Sequence, residues 1–324
     1  MNTSDAARAR PRLAIIVPCF NEHEVLRLTV ASLLEELRKM AGERRVADDS
    51  YLLFIDDGST DDTWDIISEA HRQSGMVRGL KLSRNFGHQA ALSAGLTWVV
   101  GKCDCAVSID ADLQQDEKAI TGFLEAYAAG NEIVYGVRED READTAFKSL
   151  TARLFYGLMR LQGVPIIPNH ADYRLMSAKA LAALSSFTEG NIFLRGIIVQ
   201  EVGMKSTIVH FGVRQRAAGK TKYSLRKMLS FALNGITSFS VAPLRLVFGL
   251  GVAFTVLSVI MSAYILVMAI LGDAVPGWAS TVLPIYVLGG VQLASIGIIG
   301  EYIGRIYREV KRRPRFIVEN ELVD

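Results

Sequence analysis

Ala106-Val107-Ser108-Ile109-Asp110-Ala111-Asp112-Leu113-Gln114 is the stretch on which the reading of this chain turns. An apolar, β-branched run that ends in two carboxylates one residue apart predicts a buried strand delivering acidic side chains to its C-terminal edge. That edge is where open α/β sheets bind ligands. Two such carboxylates can share a divalent cation with a diphosphate, so the stretch points to metal-dependent nucleotide chemistry.

Two more polar loops follow predicted strands in the same way: Pro18-Cys19-Phe20-Asn21-Glu22 and Asp56-Asp57-Gly58-Ser59-Thr60-Asp61-Asp62-Thr63. In the latter Gly58 can turn tightly, and Asp62 or Thr63 can cap the helix that follows. Each loop alone is ordinary turn chemistry. Carboxylates gathered at one sheet edge repel, however, unless a cation or hydrogen-bond donors accompany them.

Around these loops the first 220 or so residues alternate short apolar runs with longer periodic ones, which predicts an α/β domain with a largely parallel sheet. Strands are expected at 13–17, 52–55, 77–82, 106–109 and 133–135. Leu26, Val30, Leu33 and Leu37 recur at helical spacing and read as a helix face packed on that sheet. About a dozen N-terminal residues, 1–12, read as a flexible tail. Residues 13–223 form the expected catalytic domain.

The C-terminal third is different. Residues 246–272 and 274–300 carry no charge, and each stretch exceeds the roughly 20 residues a helix needs to cross a bilayer. Two transmembrane helices are therefore expected within 246–304. Arg245 precedes them and Arg305, Arg308, Lys311, Arg312, Arg313 and Arg315 follow, whereas the turn Asp273-Ala274-Val275-Pro276-Gly277-Trp278 has no Lys or Arg. This asymmetry predicts a multi-pass protein of the inner (cytoplasmic) membrane with the N-terminal domain and the basic tail 305–324 in the cytoplasm. Residues 224–245, opening with Arg226 and Lys227 and continuing through Met228, Leu229, Phe231, Leu233 and Ile236, read as an amphipathic juxtamembrane segment, the alternative being a core helix.

Composition excludes several classes. A net charge of +2 gives no reason to expect nucleic acid as a partner. Cys19, Cys103 and Cys105 lack the spacing of a metal site and read as buried thiols. Ala217-Ala218-Gly219-Lys220-Thr221 ends like a phosphate-binding loop, but the first glycine of that pattern would fall on Arg214. No Gly-x-Gly-x-x-Gly follows the first strand, which argues against a dehydrogenase.

Seven motifs in order resemble the family-2 glycosyltransferases of the polyisoprenyl-phosphate group, which includes dolichol-phosphate mannose synthases and bacterial undecaprenyl-phosphate glucosyltransferases. They are Val17-Pro18-Cys19-Phe20-Asn21-Glu22, Asp56-Asp57-Gly58-Ser59-Thr60-Asp61, Arg84-Asn85-Phe86-Gly87-His88-Gln89-Ala90-Ala91-Leu92, Asp110-Ala111-Asp112-Leu113-Gln114, Ala171-Asp172-Tyr173-Arg174-Leu175-Met176, Gly219-Lys220-Thr221-Lys222-Tyr223 and Ile236-Thr237-Ser238-Phe239-Ser240. Gln115-Asp116-Glu117 departs from the Asp-Pro-Pro-Glu that many members carry there.

The resemblance implies a GT-A-like (Rossmann-like) nucleotide-sugar domain, followed by juxtamembrane helices and two transmembrane helices. It places Pro18, Glu22 and Asp57 on the donor nucleoside and Asp110 beside the ribose. Asp112 and Gln114 would hold Mg²⁺ or Mn²⁺ on the diphosphate, and Asp172 would be the candidate catalytic base. Arg138, Lys220 and Lys222 would face the acceptor phosphate. Asp172 can equally position the sugar or balance Arg174. The implied reaction is a single inverting transfer from UDP-glucose or a related UDP-hexose to polyprenyl (undecaprenyl) phosphate. Membrane lipid, a homo-oligomeric assembly, and a downstream flippase and membrane glycosyltransferase serving the cell envelope are the partners it implies. A processive polysaccharide synthase is the enzymatic rival, but Trp64, Trp98 and Trp278 do not follow an Arg as its Gln-x-x-Arg-Trp motif needs. The non-enzymatic rival is a membrane scaffold with a nucleotide-binding fold.

Overall fold

The computed structural model describes residues 10–139, 170–187, 194, 197–212 and 278–323, with positions 247, 249, 251–253, 256, 260, 263 and 267. The expected 1–12 tail lies mostly outside the described residues, as do Lys220, Lys222, the 224–245 segment and most of the first uncharged stretch. The chain forms two compact units, Met1–Met228 with Pro314–Asp324, and Leu229–Arg313.

In the first unit the strands are β1 (Leu13–Cys19), β2 (Tyr51–Asp56), β3 (Val77–Leu82), β4 (Cys105–Ser108), β5 (Ile133–Arg138), β6 (His170–Ser177), β7 (Ser206–Phe211) and β8 (Val318–Leu322). Helices α1 (His23–Gly42), α2 (Thr63–Gln73), α3 (His88–Trp98) and α4 (Ala119–Ala128) follow β1 to β4, and α5 (Ala178–Ser185) follows β6. The sheet order is β7-β5-β6-β4-β1-β2-β3-β8. All residues of β1, β2 and β4 are buried, as expected of strands that are apolar on both faces and covered by helices on both sides. The predicted face of α1 is in that core, with Leu26, Leu33 and Leu37 fully buried. Removing such a side chain from a packed core typically costs about 2–5 kcal/mol.

The chain runs β1-β2-β3 to one side and then returns past β1 to β4, so the topological switch point lies between β1 and β4. The sheet is less parallel than the sequence suggests. β6 is antiparallel to both β4 and β5, and β8 is antiparallel to β3. β7 and β8 escape a sequence reading for a physical reason. β7 and β8 are edge strands with mostly exposed or half-exposed side chains, so no continuous apolar run marks them. β8 lies within the stretch read as a basic tail, where it covers the edge of β3 and places Glu321 within 3.2 Å of the Trp98 indole nitrogen.

In the second unit helix α6 (Trp278–Val310) covers the second uncharged stretch from Trp278 onward. Among the described residues no helix is long and apolar enough to cross a membrane.

Candidate active site

The polar loops converge at the C-terminal edge of β1, β2 and β4. Asn21, in the left-handed region at φ 53°, accepts from the Thr60 amide at 2.9 Å, and its own amide donates to the Ser59 hydroxyl at 2.9 Å. The Glu22 amide donates to the Thr63 hydroxyl at 3.0 Å. These bonds stitch the loop after β1 to the loop after β2. Gly58 has φ 64°, and a Cβ there would sit 2.3 Å from the Arg84 carbonyl carbon, so no other residue fits. Asp62 is the residue before α2, yet its side chain makes no capping bond; Asp61 instead accepts from the Thr63 amide at 3.0 Å. Burial opposes ionisation of Asp61, but hydrogen bonds from Thr63 and His23 outweigh it and hold the carboxyl below its usual range.

Pro18 is buried inside β1, and Glu22 is half-buried just ahead of α1. Asp57 is almost fully buried, and its two carboxylate oxygens accept the Phe86 and Gly87 amides, each at 2.8 Å. The side chain therefore organises the loop leading into α3. Burial raises its pKa, and the two amide bonds only partly offset this. The neighbouring Asp56, which the sequence reading passed over, is completely buried; its Oδ1 accepts from Ser59 at 3.0 Å. Its Oδ2 has no hydrogen-bond partner among the described residues, and burial raises this pKa too. An orphaned buried carboxylate oxygen at the C-terminal edge of an open α/β sheet suits a donor on an incoming ligand. Its only sequence signal was the Asp-Asp pair.

After β4, Asp110 is held by Gln115, whose Nε2 donates to Oδ2 at 2.7 Å and whose Oε1 accepts the Asp110 amide at 3.1 Å. Gln115 is 1% exposed, so this residue of the departing Gln-Asp-Glu stretch is a structural anchor of the loop. The Ala111 carbonyl accepts from Thr29 of α1 at 2.6 Å, and Leu113 takes a left-handed φ of 54°. Asp112 and Gln114 are half-buried, and the Gln114 amide donates to Asp112 Oδ1 at 3.2 Å. Among the described residues no group of three or more His, Cys, Asp or Glu is placed to hold a metal ion. A carboxylate and an amide oxygen do suit a Mg²⁺- or Mn²⁺-type ion that takes its other oxygens from a diphosphate and water, so the donor set fits a shared metal rather than a protein-only cage.

The antiparallel run of β6 brings Asp172 to this edge. Ser108, the last residue of β4, pairs with Arg174, and both Asp110 and Asp172 lie two residues beyond that pair on the same side. Side chains alternate along the strand, so Tyr173 turns the other way, packs on Phe123 and Phe211, and donates to the Asp116 carbonyl at 2.9 Å. Asp172 is 7% exposed and paired with the fully buried Arg174, which favours the ion-pair reading as one part of its role. His88, the first residue of α3, places Nε2 3.7 Å from Asp172 and 3.8 Å from Asp110. His88 and Gln89 were legible only as members of a motif. Arg138 ends β5 at the same edge, exposed to solvent, and Val137 pairs with His170. Cys19, Cys103 and Cys105 are buried thiols that form no disulfide, as expected. Burial also pushes the Cys103 thiol up to about 12.

Residues 14–184 match the model of glycosyl transferase family 2, and residues 242–306 match that of the GtrB C-terminal hairpin. The chain is 49% identical over 315 residues to the uncharacterized glycosyltransferase YkoT of Bacillus subtilis, covering 97% of this chain and 93% of that one. It is 37% identical over 314 residues to the bactoprenol glucosyl transferase of Shigella phage SfV, covering 96% and 99% respectively. Among solved structures, glucosyl-3-phosphoglycerate synthase from Mycobacterium tuberculosis, in complex with Mn²⁺, UDP and glucosyl-3-phosphoglycerate, shares the fold with a TM-score of 0.52 at 18% identity, over 72% of this chain and 80% of that one. With the motif order and both matched segments in one chain, this protein belongs to glycosyl transferase family 2 and is a glycosyltransferase.

Proposed function

We propose that this glycosyltransferase transfers one hexose, with inversion, from a UDP-sugar to polyprenyl phosphate at the cytoplasmic leaflet. The observation that carries this reading is the approach of Asp110 and Asp172 to one His88 nitrogen, at the sheet edge whose loop continues to Asp112. The names of the bactoprenol glucosyl transferase relatives support the lipid acceptor. A fold neighbour with Mn²⁺ and UDP is consistent with the donor class.

The residues divide the work. Asp56, Glu22 and Asp57 line the donor end, with Asp57 fixing the loop ahead of α3. Asp112 and Gln114 would hold the divalent ion, which supplies charge neutralisation on the departing diphosphate. The acceptor phosphate has its second pKa at roughly 6, so it arrives already nucleophilic and Asp172 need not be a strong base. Asp172 instead orients the reacting sugar, and a single displacement follows because the attacking oxygen belongs to the lipid. Arg138 and the Lys220/Lys222 segment are assigned to the acceptor phosphate.

A polyprenyl tail leaves the bilayer at a cost of about 0.8 kcal/mol per methylene, so the enzyme has to meet its acceptor at the membrane. Exposed apolar side chains support lipid cover over the second unit: Val252, Val256, Ile260 and Val267 in the first uncharged stretch, and Ile285, Ile296, Ile299 and Ile303 on α6. The positive flanks favour two spans with both termini in the cytoplasm. The deciding experiment supplies the full-length protein with undecaprenyl phosphate in liposomes and a panel of nucleotide sugars, and follows UDP release and lipid-linked sugar. Lipid-dependent release is expected from one UDP-hexose. Release that ignores the lipid overturns the acceptor.

A further inference from the structure

Asp172 and Asp110 pose an electrostatic problem that the β4–β6 register creates and that neither residue solves alone. Strand pairing and His88 bring two carboxylates to one edge, where both are partly withdrawn from water: the Asp172 side chain is 8% exposed and that of Asp110 is 32% exposed. Their other contacts pull them apart. Arg174 holds Asp172 through Oδ1, and Gln115 holds Asp110 through Oδ2. The inner oxygens, Asp172 Oδ2 and Asp110 Oδ1, both face His88 Nε2, at 3.7 and 3.8 Å. The next side chain, Gln89, completes the arrangement. Its Nε2 donates to Asp172 Oδ2 at 3.4 Å, while its Oε1 accepts from the Leu194 amide at 3.3 Å.

We propose that His88 and Gln89 are positioning residues for the transfer reaction, with His88 bridging Asp172 and Asp110 and Gln89 clamping Asp172 to the backbone at Leu194. The inference rests on the proposed sugar transfer and deepens it. A shared donor between two carboxylates offsets their repulsion and fixes their spacing. Distances of 3.7 and 3.8 Å are too long for hydrogen bonds and within ion-pair range, so the bridge is loose in this state and tightens when a ligand fills the edge. The start of α3 fixes the backbone from which the bridge is made. Gly87 precedes it, and the Phe86 and Gly87 amides are both held by Asp57, so the donor-side carboxylate fixes the backbone that carries His88. Among the described residues the charged groups near His88 include Asp110 and Asp172, with Asp57 within electrostatic reach. The role needs no change in protonation.

Steady-state transfer by the full-length protein in liposomes tests this against a structural role. His88→Ala and Gln89→Ala should each lower kcat roughly 10- to 100-fold, as sub-ångström misplacement at a reacting centre does, and leave the donor KM little changed. Gln89→Asn should recover part of the loss, and Gln89→Glu should be slower than Gln89→Ala because it sets a third carboxylate against Asp172. Variants that keep wild-type kcat, or that lose only thermal stability and donor affinity, overturn the proposal. A second readout is independent of turnover. In protein labelled with ¹⁵N at histidine, the His88 ring resonances should move in both Asp172→Asn and Asp110→Asn. Unmoved resonances overturn the bridge even if the enzyme transfers sugar. A wild type without lipid-dependent transfer but with moved resonances overturns the reaction while keeping the bridge.

Discussion

The Ser108 hydroxyl at the end of β4 donates to the main-chain carbonyl of Asp172 on β6. This contact locks the two strands together two residues before Asp110, and so ties the residue expected to act on the sugar to the loop expected to hold the diphosphate. Because Asp172 is fixed by strand pairing, Arg174 and Gln89, its removal should affect chemistry more than donor binding.

Asp172→Asn is expected to lower the transfer rate roughly 100-fold while UDP affinity stays close to wild type. Transfer kinetics and calorimetry on the same preparation check this. Parallel collapse of UDP affinity would make Asp172 a donor-site residue.

Metal dependence should follow from Asp112 and Gln114. Chelation by EDTA is expected to abolish transfer until Mg²⁺ or Mn²⁺ is restored, and Asp112→Asn should keep the fold while losing most activity. Full turnover in excess EDTA would contradict the shared-metal reading.

Asp56 makes a prediction about pH. Burial raises its folded pKa, so the folded protein binds a proton more tightly there than the unfolded chain does. Its favourable contribution is complete below the unfolded carboxylate pKa and is lost as pH rises through the folded value. Thermal melts of the ligand-free protein should therefore show stability falling over that window, and Asp56→Asn should flatten the fall. UDP, if it satisfies Oδ2, should stabilise wild type more than the variant.

The C-terminal strand predicts a stability effect remote from the chemistry. Deleting residues 317–324 removes β8 from β3 and breaks the Ser83 amide bond to the Ile317 carbonyl, at 3.0 Å, and the Trp98–Glu321 bond. At about 1 kcal/mol net per hydrogen bond, the loss should be on the order of 2–4 kcal/mol and should appear as a lower melting temperature. It also bears on dissection of the protein, since a domain ending at Tyr223 lacks the strand that covers its own sheet edge.

Topology can be read by labelling. A cysteine at Ala274 is expected to react with a membrane-impermeant maleimide added to intact cells, and one at Asn320, on β8, is expected to be protected. The opposite pattern would put the sheet on the wrong side for a cytoplasmic nucleotide sugar.

The sequence by itself determined the centre of the sheet, because strands buried on both faces write themselves as continuous apolar runs: β1, β2 and β4 are legible in Leu13 to Val17, Leu52 to Ile55 and Ala106 to Ile109. It also determined that Asp57, Asp110 and Asp112 follow strand ends, and that two long stretches carry no charge. Strand partners were another matter, since pairing joins residues far apart in the chain while propensity and periodicity are local. Only the tertiary structure reversed β6, brought Asp172 to the edge that carries Asp110, and turned Gln115 inward to hold Asp110. Only the structure brought His88 between the two carboxylates, and only it returned the exposed strand β8 to the edge of β3. Each of these arrangements depends on long-range hydrogen bonds or on charges meeting across strands, and neither leaves a period in the sequence.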